Sequence, residues 1–306
     1  MLSLNRALLV SAAALFAATA PMTVWAQAAP DYSKVEIKTT DLGNKTYMLE
    51  GQGGNITVAV GDDAVLMVDT QFAPLHDKIK AAVTSISALP LKTVINTHYH
   101  GDHTGGDGAF AKDGATVLAH DNVKKRMTEG STNALTGAKT APALDKLPTK
   151  TYSGDKAEVE LKGRKVQVGH PANAHTDGDS YVFFADANVL ATGDIVSIFE
   201  GRYPNVDVGV TGNIKGVIAA VDTYLKLSND QTKIVPGHGP VLTKARLQEY
   251  RDLEVSARDA VQKAMTGKNE DETVAAKPLA AIDPKVKSTP EASDNFVRLI
   301  YKSLKS

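Results

Sequence analysis

The chain contains no cysteine. That absence excludes disulfides, thiolate-held metal and a cysteine nucleophile, so any metal site must be built from imidazole and carboxylate. An excess of charge of one sign is absent as well. The 34 Lys and Arg face 35 Asp and Glu, a formal net charge of −1, so no global field invites nucleic acid or acidic lipid. A membrane-spanning length is missing too. The N-terminal apolar run, Ala7 to Ala20, is followed by Pro21 and falls short of the roughly 20 residues a spanning helix needs. A short, weakly basic start, this run, and Val24-Trp25-Ala26 with small residues at −3 and −1 together read as a secretory signal. Residues 1–26 are therefore expected to be cleaved. The mature protein would begin near Gln27, be periplasmic or secreted, and keep no stable membrane anchor. With no cysteine after the run, a lipid anchor is excluded. Losing Arg6 leaves 33 basic against 35 acidic residues, a mature charge near −2.

What is present is ordinary in bulk. The 306 residues are 42% hydrophobic and 23% charged, which suits a soluble globular chain of one large domain or two small ones. Short β-rich runs come first: Val35–Ile37, Thr46–Leu49, Ile56–Val60 and Ala64–Val68, separated by Gly and Asp turn signals. Leu75 to Leu89 carries helical spacing, and Leu91–Ile95 is a compact strand-like run. Further strands are expected at Thr116–Leu118, Val159–Leu161, Lys165–Val168, Tyr181–Phe184, Val189–Ala191 and Lys233–Val235. Helices are expected from Asp121, over Ile214–Leu227 and over Lys244–Met265. This order predicts a layered α/β domain with two sheets inside helices. Gly130 to Lys150 reads as a loop. The expected division is a main domain over 33–265 and a tail over 266–306, whose last amphipathic helix, Phe296–Leu304, docks on it.

The chemistry concentrates in Thr97-His98-Tyr99-His100-Gly101-Asp102-His103-Thr104. Four metal-competent side chains fall within six residues, directly after a strand. Continued strand alternation would put His98 and His100 on one side, and Gly101 would let the chain turn so that Asp102 and His103 approach a second point. Imidazole with carboxylate suits zinc, and iron or manganese as well. The chain holds only eight histidines, so three at this spacing is poorly explained by chance. Downstream, His175 follows Pro171-Ala172-Asn173-Ala174, Asp194 ends Ala191-Thr192-Gly193-Asp194, and His238 sits in Pro236-Gly237-His238-Gly239-Pro240. Each alone reads as a loop residue or a cap; the ordered set points to a metal site. His76 and His120 have no motif around them, and His170 lies near His175 in sequence.

That ordered set, over roughly residues 45 to 245, resembles the metallo-β-lactamase superfamily, which includes zinc β-lactamases, glyoxalase II and lactonases. The resemblance implies a four-layer αββα sandwich with metals at one edge of the sheets. It implies two zinc ions per chain, one on His98, His100 and His175, the other on Asp102, His103 and His238, with Asp194 between them. Asp102 would also act catalytically by orienting the nucleophile. Asp69, in Val68-Asp69-Thr70, would order the histidine loop. The implied activity is an exported hydrolase using a metal-bound hydroxide on a small-molecule ester, lactone or amide, β-lactams included. The alternatives are a glyoxalase II-like thioester hydrolase and, in another class, a mononuclear-iron persulfide dioxygenase. In the cysteine-containing β-lactamases a lysine grips the substrate carboxylate. The corresponding position here is Ser197, leaving Arg202, Tyr203 and Lys215 as candidate cationic or polar contacts, and Gly212-Asn213 resembles a further one.

Overall fold

The computed structural model describes residues 31–133, 135–208 and 212–306. The expected signal segment, 1–26, lies outside them. Two sheets form the centre. The first runs in the spatial order Lys38–Gly43, Thr46–Glu50, Ile56–Val60, Val65–Val68, Leu91–Ile95, Thr116–His120, Lys150–Tyr152. Its first four strands pair antiparallel and the rest parallel. The second runs Lys156–Ala157, Val166–Gly169, Tyr181–Phe184, Val189–Ala191, Lys233–Val235, antiparallel except for its last pair.

Strand alternation turns these sheets into four layers. Successive side chains point to opposite faces. In the first sheet Val68 and Ile95 face inward, packing with Val182, Phe184, Val189 and Val235 of the second sheet in one buried cluster. Their neighbours Met67 and Val94 face out, onto Ile79 and Val83 of the helix His76–Ile86 and Phe110 of the helix Asp107–Lys112. On the second sheet Phe183, Leu190 and Ile234 face the other way, onto Val217, Val221 and Tyr224 of the helix Ile214–Leu227 and Leu247 of the helix Lys244–Ala264. Helix, sheet, sheet and helix follow as an αββα sandwich, because both faces of every central strand are apolar and each must be covered.

Several expected elements differ. Val35–Ile37 is not a strand; the edge strand is Lys38–Gly43, whose polar residues gave no apolar signal. Val159–Leu161 is irregular, and the edge strand is Lys156–Ala157. Both are edge strands, with one flank open to water and little need for apolar side chains. The expected loop from Gly130 contains a small hairpin, Ser131–Thr132 with Lys139–Thr140. The stretch after Met265 forms two short helices, Glu270–Ala275 and Asp283–Val286, before the C-terminal helix Pro290–Lys305. Thr289 caps that helix and Pro290 starts it. Its Phe296 is buried and stacks on Tyr203 at 4.4 Å.

The long helix carries one anomaly. Leu247, Tyr250, Ala257 and Val261 form its buried stripe, and Glu254 sits in the middle of it, fully buried with neither carboxylate oxygen hydrogen-bonded. Burial pushes its carboxyl up to about 8. The folded chain therefore holds a proton that an unfolded Glu releases near its ordinary pKa of roughly 4.3. The stability tied to this group is complete below that value and is lost as pH rises toward 8. Glu254→Gln should match the wild type in thermal stability near pH 4.5. It should exceed the wild type increasingly up to about pH 9, by on the order of a few kcal/mol. A stability difference that stays flat with pH would show that Glu254 does not ionise on unfolding.

Candidate metal centre

The loops after four strands bring the site together. His98 to His103 follow Leu91–Ile95, His175 follows Val166–Gly169, Asp194 follows Val189–Ala191, and His238 follows Lys233–Val235. The last two strands are parallel neighbours, so their C-terminal ends lie side by side, and Ser197 pairs through its backbone with His238. The histidine segment does not continue as a strand. After Ile95 it bends, and Gly101–Thr104 forms one helical turn. Gly101 has no left-handed φ. The helical turn, rather than a glycine kink, aims Asp102 and His103 at a different point from His98 and His100.

All seven candidate ligands converge, in two groups: His98, His100, His175 and Asp194, then Asp102, His103 and His238. Within each group the candidate donor atoms lie within 4.8 Å of one another. In the first, His100 Nδ1 is 3.0 Å from His98 Nε2 and 3.1 Å from His175 Nε2. In the second, His238 Nε2 is 3.4 Å from His103 Nε2 and 3.2 Å from Asp102 Oδ2. Asp194 reaches both groups. Its Oδ2 is 3.8 Å from His175 Nε2, and its Oδ1 is 3.2 Å from His103 Nε2 and 3.5 Å from His238 Nε2. Oδ1 is buried yet makes no hydrogen bond, since proximity to His103 is not matched by bonding geometry. Inward-facing imidazole nitrogens around an unbonded carboxylate oxygen are a donor set that fits divalent cations.

The opposite ring nitrogens are anchored. His103 Nδ1 donates to Asp69 Oδ2 at 2.8 Å. His98 Nδ1 meets Thr97 Oγ1 at 3.0 Å, and Thr97 donates from Oγ1 and from its backbone N to the two Asp69 oxygens, each at 2.7 Å. His175 Nδ1 donates to the Asn205 carbonyl at 2.9 Å, and His100 Nε2 to Asp207 at 3.2 Å. Such partners select the tautomer that leaves the inner nitrogen with its lone pair. Asp69 is thus the hub of the histidine loop, held at a left-handed φ of 67°. Asp207, also bonded to the Tyr99 hydroxyl, was not anticipated. It lies in an irregular segment with no spacing pattern, and only the fold carries it to His100.

Protonation follows from burial and these neighbours. Burial and the adjacent imidazoles His103, His175 and His100 push His98 well below its ordinary value. Burial takes His175 down to about 4, against the pull of Asp194 and with His100 adding to the drop. Burial alone would raise Asp194, but His103, His98 and His175 hold its carboxyl well below the usual range. Burial also opposes ionisation of Asp102, and the His238 hydrogen bond and His103 overcome it, holding the group at about 2. Close packing leaves no room for side chains at two glycines. A Cβ at Gly54 would stand 2.1 Å from the His103 ring, and one at Gly237 would stand 1.9 Å from Asp194 Oδ1.

The remaining histidines are structural. His76 pairs with Asp77 and Asp113. His120 caps the helix Asp121–Glu129 and stacks on His170 at 3.7 Å. Two of the candidate substrate contacts are already committed. Tyr203 donates to Asp283, and Asn213 caps the helix Ile214–Leu227 while donating to the Ser303 carbonyl. Beside the first group lies a cleft of about 350 Å³, bounded by Tyr99, His100, Asp102, Asn133, Asp207 and Leu299. The hairpin that begins at Ser131 forms one rim.

A family model for the metallo-β-lactamase superfamily matches residues 49–238, and the chain belongs to that superfamily. It is 29% identical over 153 residues to the alpha subunit of 2,4-dinitroanisole O-demethylase from Nocardioides sp. (strain JS1661), covering 49% of this chain and 43% of that one. It is 26% identical over 164 residues to a type 2 metallo-β-lactamase from Bacillus sp. (strain 170), covering 52% of this chain and 56% of that one. The chain therefore spans about half the length of these relatives. Among solved structures, DIM-1 metallo-β-lactamase superposes with a TM-score of 0.59 at 18% identity, over 73% of this chain and 100% of that one. That likeness is one of fold.

Proposed function

We propose that the protein is a dinuclear zinc hydrolase that opens an ester, lactone or amide carbonyl, β-lactams included. The observation that carries this reading is the sharing of Asp194 between two complete groups of candidate ligands, within 3.8 Å of histidines in each. Two divalent ions bound there would supply Lewis acidity and lower the pKa of a bound water toward neutrality. The protein's own residues do the rest. His98, His100 and His175 would hold one ion, and Asp102, His103 and His238 the other. Asp102, ionised and facing His238 with about a third of its side chain exposed, would orient the attacking water by accepting a hydrogen bond from it. The cleft along Tyr99, Asp207 and the hairpin admits the substrate.

Metal content and turnover test this together. Purified protein in metal-replete buffer should carry close to two zinc ions. It should hydrolyse at least one of nitrocefin, a γ-lactone and a thioester; 2,4-dinitroanisole joins the panel because of the demethylase relative. Treatment with a chelator should abolish turnover, and zinc should restore it. One tightly held iron, with oxygen consumption on a persulfide, would replace this reading with a dioxygenase.

A further inference from the structure

Behind the histidine segment lies a second polar cluster, made of residues outside the candidate ligand set. Asn96 stands directly before Thr97 and His98, and Asp107 follows His103 by four positions. Both are fully buried. Asn96 Nδ2 donates to Asp107 Oδ1 at 3.0 Å, so the two ends of the segment are joined side chain to side chain. Thr70, next to Asp69, adds a strut. Its Oγ1 lies 2.8 Å from the same Asp107 oxygen and accepts from Gly106 N at 3.1 Å, while its backbone N donates to the His103 carbonyl at 2.8 Å.

Two oxygens of this cluster are left over. Asp107 Oδ2 and Asn96 Oδ1 are both buried, and neither has a hydrogen-bond partner. With the carboxyl ionised both are acceptors only, and buried acceptors left unbonded call for a donor. A proton on Oδ2 supplies one: the acid donates to the amide oxygen while the amide donates to Oδ1, and neither oxygen stays orphaned. The neighbouring charge agrees. Asp69 takes three donors, two from Thr97 and one from His103, whereas Asp107 takes its donors on Oδ1 alone. Two buried carboxylates that feel each other resist ionising together, and the proton goes to the one with fewer donors. Burial pushes the Asp107 carboxyl well above its ordinary value; the Asn96 and Thr70 hydrogen bonds oppose the rise, and Asp69 adds to it.

We propose that Asp107 is a neutral carboxylic acid whose Oδ2–H donates to Asn96 Oδ1, and that this acid–amide clasp is a positioning element, closing the neck of the loop that carries His98, His100, Asp102 and His103. Asp107 acts through Asn96 at the entry to the loop and through Thr70 on the His103 backbone. An uncharged Asp107 also leaves Asp69 as the anion that holds the His103 Nδ1 proton. The inference rests on the reading of this loop as a metal site and not on carbonyl hydrolysis.

Infrared difference spectroscopy of the zinc-loaded protein, wild type minus Asp107→Asn near neutral pH, tests the proton. The difference should contain the carbonyl band of a protonated carboxyl, with the bands of Glu254 and other buried acids cancelling. Zinc titration tests the clasp. Asp107→Asn, whose amide donates and accepts as the acid does, should bind both zinc ions within about 3-fold of the wild type. Asp107→Leu, similar in size with no polar atom, should weaken the ion that His103 would hold by at least about 10-fold. If the Leu variant does not fold, Asn96→Ala removes the other half of the clasp and should weaken the same ion. A carboxylate band in place of the carbonyl band overturns the protonation. An Asn variant that loses as much zinc affinity as the Leu variant shows that a charge is needed there and overturns the clasp, and unchanged zinc affinities in the Leu or the Ala variant overturn the positioning role. Turnover enters neither measurement, so a protein inactive on every carbonyl substrate would end the hydrolase reading and leave the clasp standing.

Discussion

Asp194→Asn is expected to release one zinc ion and to lower kcat/KM by more than about 100-fold, beyond what loss of an outer-shell partner costs. Among the described residues, Asp194 is the one carboxylate that approaches histidines of both groups. Its ionised form is favoured by His103, His98 and His175 strongly enough to overcome complete burial. The amide keeps the shape and removes the charge, so two cations would then face each other with less negative charge between them. The weaker-held ion should leave first. Asp194→Cys should retain part of the metal, since thiolate is a good zinc ligand. Zinc occupancy and turnover followed in a single titration decide the matter. Two tightly bound ions with normal turnover in the Asn variant would reduce Asp194 to a scaffold residue.

Asp69→Asn is expected to weaken by about 10- to 100-fold the binding of the ion that His103 would hold, although Asp69 meets His103 only through the ring nitrogen that faces away from the site. The carboxylate takes two donors from Thr97 and one from His103 Nδ1. An asparagine amide keeps one acceptor and presents N–H groups at the other position. If that position faces His103, the Nδ1 must become an acceptor, and the ring proton moves to Nε2, the atom aimed at Asp194 and His238. The metal must then displace that proton. The Thr97 relay loosens as well, and with it the Nδ1 contact of His98. Calorimetry should resolve one weakened zinc site, and Asp69→Glu should not rescue it, because the pocket is closed and Asp69 is about 1% exposed. Two unchanged zinc affinities in the Asn variant would assign Asp69 to backbone support alone.

Much of this site was legible along the chain. The spacing of His98, His100, Asp102 and His103, with His175, Asp194 and His238 downstream, selects its own chemistry because metal ligands are few in kind and costly to place by accident. The central strands were legible because burial on both faces leaves continuous apolar runs such as Ile56–Val60 and Val65–Val68. The edge strands Lys38–Gly43 and Lys156–Ala157 were not, since an edge exposed to water needs no such run. The residues that the sequence alone determined are therefore those whose chemistry or burial is local in the chain. Only the tertiary structure decided that Asp207 backs His100, that Asn205 offers its carbonyl to His175, that Asn213 and Tyr203 are committed to the C-terminal helices, and that Arg202 is left over a ring beside His238. Each of these contacts joins segments distant in the chain, and what makes them is the closure of two sheets between helices, which leaves no periodic trace at the residues it brings together.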